Sequence, residues 1–350
     1  MDKRLGWSPF FMQQLELDEL ERTVPARVIT VHRSGLIVSD GTVEHSVTLG
    51  GSWYRRTSEA RPTVGDWVLL SRSCDRVERI LTRKSVFQRV VPGHKVDVQL
   101  IAANIDTLFV VSSCNAEFNE SRLERYLALA VEARVEPVVV LTKADLTEAG
   151  EAYKARVRAV RGDLAVELVN ALDSESLIGV RAWIQPGQTV ALVGSSGVGK
   201  STLLNTLAGA NLQVTKAIRE DGGHGRHTTT ARSLHVLNEG GILLDVPGMR
   251  ELAVADIQPA LAEMFEDIEA LSRRCRFADC SHASEPGCAI REAIDAGHMD
   301  ARRLSNYFKL LREQEVNAAT LAEQRHRNRQ WSKNIRNMHR DRDRLLKPRD

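Results

Sequence analysis

The chain has 350 residues, a formal net charge of +2 and five cysteines. This length suits two or three domains, and a composition of 43% hydrophobic and 27% charged residues is that of a globular protein. No apolar stretch approaches the length of a membrane span, and no signal-peptide core follows the N-terminus. Five cysteines are too few for a disulfide scaffold in a chain of this length. We therefore expect a cytoplasmic protein without membrane association.

The small net charge conceals an uneven distribution. Residues 325–350 carry a net charge of +7, so residues 1–324 carry a net charge of −5. An acidic body with a basic tail favours a polyanionic partner, whereas a solvated charged helix accounts for the same composition. Both interpretations stay open from charge alone.

The N-terminal part of the chain, from about residue 24 to 100, has the pattern of a β-rich domain. Short β-branched runs occur at Arg27–Val31, Gly35–Val38 and Val64–Leu70, separated by glycine and polar residues. Several short strands within about 75 residues predict a small barrel of the OB-fold type. Four aromatic and basic residues in this part form either a base-stacking and phosphate-contacting patch or ordinary barrel structure: Trp53, Tyr54, Arg55 and Arg56.

From about residue 101 the pattern changes to alternating strands and helices. The predicted strands are Thr107–Ser113, Pro137–Leu141, Ala165–Val169, Thr189–Val193, Ser233–Leu237 and Ile242–Leu244, and the first two predicted helices cover 122–133 and about 148–160. This alternation predicts a doubly wound sheet that binds its ligand at the carboxyl ends of the strands. After Gly297 the composition favours helix up to Pro348.

A complete phosphate-binding loop follows the strand Thr189–Val193. A loop of this type needs glycines so that its backbone amides can surround phosphates, a lysine for the β- and γ-phosphates, and a serine or threonine for magnesium at the helix start. Lys200 is the predicted catalytic lysine and Ser201 the magnesium ligand. The predicted nucleotide-binding residues of this segment are Gly194, Ser195, Ser196, Gly197, Val198, Gly199, Lys200, Ser201 and Thr202.

The tetrapeptide Thr142-Lys143-Ala144-Asp145 resembles the guanine-reading element of small GTPases. The Asp145 carboxylate has the acceptors to receive hydrogen bonds from the guanine ring N–H and the exocyclic amine, and the Lys143 stem can lie along the base. Capping of the following helix is the alternative role for Asp145. Asn170 and Ala171 follow the next strand, where GTPases often have residues that back the base.

The order of these motifs is unusual, because the base reader precedes the phosphate loop. In ordinary GTPases it follows the loop, so the order predicts a circularly permuted GTPase core. Asp245 and Gly248 match the Asp-x-x-Gly switch, in which the aspartate supports magnesium and the glycine N–H contacts the γ-phosphate. Met249 then stands where a water-orienting glutamine is common, so we expect slow intrinsic hydrolysis unless another group completes the site.

A glycine-rich, charged segment lies between the phosphate loop and the Asp245–Gly248 switch motif. We predict that Thr229 ligates magnesium when the γ-phosphate is present, with Thr228 and Thr230 as alternatives. His227 is predicted to position water in place of the missing glutamine. An exposed loop histidine without a catalytic role explains His227 equally well.

Three cysteines and one histidine lie within fourteen positions near the C-terminal end of the chain. They are Cys275, Cys280, His282 and Cys288. Four such ligands in this spacing favour one tetrahedral zinc ion, and the absence of a nearby water-activating group favours a structural role. The alternative is that these are separate core cysteines that do not share a metal ion.

Together these motifs resemble the RsgA (YjeQ-type) family of circularly permuted GTPases, which are biogenesis factors of the small ribosomal subunit. The resemblance rests on Thr142–Asp145 preceding Gly194–Ser201, on the run Gly225–Thr230, on Asp245–Gly248, and on the zinc spacing. It covers nearly the whole chain. The chain differs from the family pattern at Val246, where threonine is common, and at Asn170 near the base.

The resemblance implies a multidomain α/β protein. An N-terminal OB-fold β-barrel in residues 1–100 and a C-terminal zinc-binding α-helical domain with its basic tail in 259–350 would flank a circularly permuted P-loop GTPase domain in 101–258. The implied partners are the small (30S) ribosomal subunit, its 16S rRNA and GTP or GDP with Mg²⁺, bound by a monomer. The implied activity is ribosome-stimulated GTP hydrolysis that acts as a checkpoint in late subunit maturation. An RNA-binding assembly module with a structural nucleotide site, and a P-loop ATPase, are the competing hypotheses.

Overall fold

The computed structural model describes residues 3–32, 34–91, 97–209, 233–238, 240–245 and 258–316. No helix in these ranges is both long and apolar enough to cross a membrane. The basic tail, residues 325–350, lies outside the described residues, so its predicted helical structure and contacts remain predictions.

The N-terminal domain is a five-stranded antiparallel barrel of the OB type. Its strands are β1 (Thr23–Val31), β2 (Gly35–Ser39), β3 (Glu44–Thr48), β4 (Trp67–Ser71) and β5 (Val77–Ile80), in the order β3-β2-β1-β4-β5. The long strand β1 pairs with β4 along its first half and with β2 along its second half. Three short helices accompany the barrel: α1 (Pro9–Met12), α2 (Leu17–Arg22) and α3 (Gly51–Tyr54).

The predicted strand Val64–Leu70 begins three residues later than expected, at Trp67. The difference arises at Gly65, whose φ of +87° turns the chain before β4. A Cβ at this position would lie 2.1 Å from the carbonyl oxygen of Ala103, so the turn requires glycine.

The aromatic residues of the predicted stacking patch divide between the core and the surface. Trp53 is only 4% exposed and belongs to the barrel core, and the Arg56 guanidinium lies 3.9 Å from the centroid of its ring. Of the two alternatives for Trp53, the structure therefore favours an ordinary barrel residue. Tyr54 is 43% exposed.

A hairpin, β6 (Val86–Val91) and β7 (Asp97–Ala103), leads from the barrel into the α/β domain. The elements of this domain are β8 (Thr107–Ser113), α4 (Glu120–Ala133), β9 (Glu136–Thr142), α5 (Gly150–Val160), β10 (Ala165–Leu168), α6 (Ile178–Arg181), β11 (Thr189–Val193), α7 (Lys200–Ala208), β12 (Ser233–Val236) and β13 (Ile242–Asp245). The strand order is β10-β9-β8-β11-β13-β12, and all neighbouring pairs except β13–β12 are parallel.

Apolar strands buried on both faces explain this three-layer arrangement, since parallel strands need helices on each side. One core packs α4 and α5 against the sheet, and a second core packs α6 and α7 against the other face. The strand that leads into the phosphate loop, β11, lies in the middle of the sheet although β8, β9 and β10 precede it in sequence. This arrangement agrees with the permuted order of elements that the sequence predicts.

The C-terminal domain contains α8 (Gln258–Met264), α9 (Glu266–Ser272), α10 (Ala289–Asp295) and a further helix, α11, whose described residues are 301–316. It packs on α4 through the Glu124 carboxylate, which is fully buried. Arg302 and Arg303 donate to this carboxylate at 3.2 and 3.1 Å, and Asn306 also donates to it. Because a buried carboxylate needs such partners, the contact fixes the α11 residues against α4.

The barrel and the α/β domain share one continuous sheet. Thr30 of β1 pairs with Ser233 of β12, which makes a path of hydrogen-bonded strands from β10 to β3. The Arg27 side chain, 1% exposed, strengthens this junction by donating to the Asn104 carbonyl at 3.1 Å and to Thr189 Oγ1 at 2.8 Å. Thr189 begins β11, so a barrel side chain supports the strand that leads into the phosphate loop.

Candidate nucleotide site and metal centre

The predicted nucleotide motifs lie together at one edge of the sheet. The strands β8, β9, β10, β11 and β13 are parallel, so their carboxyl ends meet at this edge. The base reader starts at the last residue of β9, the Asn170 segment follows β10, and the phosphate loop follows β11. Their meeting point is where doubly wound sheets bind ligands.

The phosphate loop has the backbone conformation that its glycines predict. Gly194, Gly197 and Gly199 have φ values of +150°, +78° and +91°. A Cβ on Gly194 would lie 2.2 Å from the carbonyl oxygen of Val111, so only glycine fits the start of the loop. Helix α7 begins at Lys200, and the N-terminus of a helix directly after such a loop is a favourable position for an anion.

Lys200 folds over its own loop. Its Nζ donates to the carbonyl oxygen of Gly194 at 2.8 Å and also to that of Ser195. The ammonium group therefore lies across the loop where the phosphates of a nucleotide would be received. Ser201 follows it in the first turn of α7 and is half-buried, and its role as a magnesium ligand remains a prediction.

The base-reading segment is hydrogen-bonded directly to the phosphate loop. Thr142 Oγ1 donates to the carbonyl oxygen of Val198 at 2.6 Å, and Lys143 Nζ donates to that of Gly197 at 2.9 Å. A Cβ on Gly199 would lie 3.4 Å from Thr142 Oγ1. Although Thr142 replaces the commoner asparagine, its hydroxyl braces the loop.

Asp145 lies on the short 3₁₀ turn Ala144–Leu146 and is exposed. Among the described residues, its carboxylate has no hydrogen-bond or ion-pair partner. The alternative that Asp145 caps the next helix is not observed, because α5 has Ala149 as its N-cap and Thr147 Oγ1 accepts from the Ala149 amide at 3.1 Å. The carboxylate is therefore accessible to a base.

The segment after β10 supports the base reader through its backbone. The amide of Ala144 donates to the Val169 carbonyl at 3.2 Å, and Thr206 Oγ1 of α7 donates to the Ala171 carbonyl at 2.7 Å. The Asn170 side chain accepts from the amide of Leu172 at 3.0 Å, so it stabilises its own turn. The sequence did not indicate this role for Asn170.

The switch residues are described only in part. Asp245 is the last residue of β13 and pairs with Ser233, which places its backbone at the nucleotide edge of the sheet, but its side chain is not described. The predicted residues His227, Thr229 and Gly248 lie outside the described residues, as do Thr228, Thr230, Val246 and Met249. Their assigned roles remain predictions.

The four predicted metal ligands form one cluster between α9 and α10. Their ligand atoms lie within 4.8 Å of one another. His282 Nδ1 lies 3.6 Å from Cys275 Sγ and 3.5 Å from Cys288 Sγ, and the two sulfurs are 3.9 Å apart. Zinc bonds of about 2.3 Å to sulfur and about 2.0 Å to nitrogen in a tetrahedron require separations of about 3.8 Å between sulfurs and about 3.5 Å between sulfur and nitrogen.

The cluster therefore fits a tetrahedral zinc ion of the Cys₃His type. Cys280 supplies the remaining sulfur. Ser272 Oγ lies 3.3 Å from His282 Nε2, and such a contact to the outer nitrogen orients a metal-bound imidazole. His282 has a φ of +61°, an uncommon conformation for a residue other than glycine, which turns its ring toward the three cysteines.

One residue at the site was missed by the sequence analysis. Arg122, in the first turn of α4, donates from Nη1 to Ser195 Oγ in the phosphate loop at 2.7 Å. The residues are 73 positions apart, and the sequence shows Arg122 only as part of a helical pattern. No local signal identifies this contact.

Comparison with known proteins gives the family of the chain. The model of the RsgA GTPase family matches residues 80–255, a range that contains the base reader, the phosphate loop and the switch motif. A protein of Vibrio parahaemolyticus named "Small ribosomal subunit biogenesis GTPase RsgA 2" is 52% identical over 338 residues, covering 96% of this chain and 92% of that protein. The chain belongs to the RsgA GTPase family. A "Small ribosomal subunit biogenesis GTPase RsgA" of Mesorhizobium japonicum is 47% identical over 316 residues, covering 89% and 90% of the two chains.

Solved structures of similar proteins have the same fold. The crystal structure of YjeQ from Thermotoga maritima matches with a TM-score of 0.60 and 25% identity, over 83% of this chain and 98% of that one. A structure described as YloQ, a circularly permuted GTPase, matches with a TM-score of 0.56 and 23% identity, over 84% and 95% of the two chains. An ABC transporter model also matches residues 177–338, which contain the phosphate loop but not the base reader.

Proposed function

We propose that this GTPase binds the small ribosomal subunit and hydrolyses GTP as a checkpoint in the late maturation of that subunit. The observation that carries the nucleotide part is the bracing of the base reader on the phosphate loop by Thr142 and Lys143. The names of the relatives support the ribosomal part. The substrate is GTP and the products are GDP and phosphate.

The roles of the nucleotide-site residues follow from their chemistry. Amides of the phosphate loop and the Lys200 ammonium group receive the β- and γ-phosphates, while the Asp145 carboxylate accepts from the guanine N–H groups. A magnesium ion held by Ser201 would neutralise charge on the β- and γ-phosphate oxygens. Gly248 contacts the γ-phosphate in this proposal and Asp245 supports the metal.

The remaining site assignments belong to the same proposal. His227 positions the attacking water, and Thr229 ligates magnesium in the GTP state. Because Met249 cannot hold water as glutamine does, intrinsic hydrolysis is slow and the ribosomal subunit accelerates it. Hydrolysis then lowers the affinity of the protein for the subunit.

The flanking domains supply the contacts to RNA. We propose that the barrel in residues 1–100 and the zinc-binding domain in 259–350 contact 16S rRNA, on either side of a GTPase domain in 101–258. One structural zinc ion, held by the Cys₃His cluster, maintains the C-terminal domain, since the ligand spacing fits a closed tetrahedral site. The protein acts as a cytoplasmic monomer.

The decisive experiment measures GTP turnover with and without purified small ribosomal subunits. We expect slow turnover that subunits accelerate by up to roughly 10³–10⁵-fold if they complete the catalytic site. Lys200→Ala should abolish both rates, whereas Lys154→Ala, an equal charge loss on α5, should change neither. Turnover unaffected by subunits would refute the checkpoint proposal.

Two control outcomes distinguish the competing functions. If Lys200→Ala leaves subunit binding and assembly unchanged, the chain is an RNA-binding module whose nucleotide is structural. If ATP competes as well as GTP, the protein is a P-loop ATPase. Asp145→Asn sharpens this test, because its amide can donate to the carbonyl that xanthosine triphosphate carries in place of the guanine amine. We expect weaker GTP binding and stronger xanthosine triphosphate binding.

A further inference from the structure

The contact between Arg122 and Ser195 joins helix α4 to the phosphate loop. Arg122 Nη1 donates to Ser195 Oγ at 2.7 Å, while Lys200 Nζ donates to the carbonyl oxygen of the same serine. Ser195 is therefore held on its side chain by one cation and on its backbone by another. These two contacts constrain Ser195 at the beginning of the loop, whereas its neighbour Ser196 is exposed.

The backbone of Arg122 is fixed by the cap of its helix. Asn119 Oδ1 accepts from the Arg122 amide at 2.9 Å and so closes the first turn of α4. The Glu117 carboxylate lies 3.8 Å from Arg122 Nη1, beyond hydrogen-bond distance. Among the described residues, Ser195 is the hydrogen-bond acceptor of this side chain. The side chain is 48% exposed.

The C-terminal domain contacts the same turn of α4. Arg302 donates to Ser121 Oγ at 3.2 Å as well as to the Glu124 carboxylate. Glu124 is fully buried and receives Arg303 too, so displacement of this turn would leave a buried carboxylate without its partners. The helix turn that carries Arg122 is therefore a rigid support.

We propose that Arg122 is a positioning residue of the GTPase reaction, which holds the Ser195 side of the phosphate loop in the conformation that receives the nucleotide phosphates. This inference rests on the proposed GTPase function. Arg122 acts through the loop and does not touch the transferred phosphoryl group. A loop ordered in advance loses less conformational freedom on binding, so the contact strengthens the binding of both GTP and GDP.

This role predicts a particular division of kinetic effects. Loss of preorganisation weakens the binding of the substrate and of the transition state equally. It therefore raises KM and leaves kcat unchanged. A guanidinium that acted on transition-state charge would instead lower kcat. A merely structural residue would lower the thermal unfolding midpoint without changing nucleotide affinity.

The test is a double-mutant cycle in the full-length zinc-loaded protein. Arg122→Met keeps the aliphatic stem and Ser195→Ala keeps the loop backbone. We expect each to raise the Kd of fluorescent GDP and GTP analogues by about five- to tenfold, as expected for loss of one charged hydrogen bond at a half-exposed site. The double variant should bind no more weakly than the weaker single variant, since both remove the same contact.

Two further variants control for charge and fold. Arg122→Lys keeps a donor and should recover most of the lost affinity. Arg125→Met removes a neighbouring α4 arginine that pairs with Glu313, and it should leave nucleotide affinity unchanged. Unchanged Kd in Arg122→Met, additive effects in the double variant, or a fall in kcat at constant Kd would each overturn the inference. Failure of the wild-type protein to bind GTP would instead refute the proposed function.

Discussion

Replacing Thr142 by valine tests whether the base reader braces the phosphate loop. The side chain is fully buried and valine has nearly the same shape, so the substitution removes the hydroxyl without opening a cavity. It deletes the 2.6 Å hydrogen bond to the Val198 carbonyl and leaves a buried acceptor unpaired. Loss of this hydrogen bond should destabilise the native loop conformation by about 1–2 kcal/mol. Because the loop is less well ordered, the Kd for GDP should rise by about five- to thirtyfold.

The assay is equilibrium titration with a fluorescent GDP analogue, together with chemical denaturation. Thr142→Ser keeps the hydroxyl and should bind within about twofold of the wild type. Thr147→Val is the matched control, because within the described residues its hydroxyl accepts from the Ala149 amide at the start of α5 and makes no contact with the phosphate loop. The reasoning is refuted if Thr142→Val binds GDP as tightly as the wild type, or if Thr147→Val weakens binding equally.

Three further substitutions test the metal centre, the domain junction and the core. Cys288→Ser removes one of the four clustered ligands, so elemental analysis should show zinc falling from one ion per chain; retention of a full equivalent would contradict the assignment. Arg27→Met leaves the Asn104 carbonyl and Thr189 hydroxyl without their donor, and urea denaturation should show a loss of about 3–5 kcal/mol. Replacing the fully buried Phe109 of β8 by alanine should lower the free energy of unfolding by about 3–5 kcal/mol in the same measurement, and a loss below about 1 kcal/mol would mean that the site repacks.

The central strands were predictable because their local pattern is unambiguous. β8 and β11 occupy the predicted residues Thr107–Ser113 and Thr189–Val193, since continuous apolar runs next to polar segments are typical of strands buried on both faces. The metal ligands were equally predictable from the sequence, because all four lie in one short segment. Local chemistry therefore predicted the sheet and the motifs at its edge.

The contacts that join these parts were not predictable from the sequence. Arg27 has the pattern of a strand residue and Glu124 that of an exposed helix residue, yet both are buried among polar partners far away in sequence. Their burial depends on which domains pack together. The contact of Arg122 with Ser195 arises in the same way, because it requires the α4 helix to lie beside the loop. Trp53 shows the same limit, because the sequence left open whether it stacks on a ligand or packs in the barrel, and only the structure shows that it is buried.

The pairing of Thr30 with Ser233 has a consequence for amide hydrogen exchange. β12 is hydrogen-bonded to barrel strand β1 on one side and to β13, which ends at Asp245, on the other. If β12 separates from β1 or from β13, amides of both domains become exposed to solvent together. Protection of barrel amides near Thr30 should therefore follow the stability of the GTPase sheet, so that exchange measured in the barrel reports on the domain that binds the nucleotide.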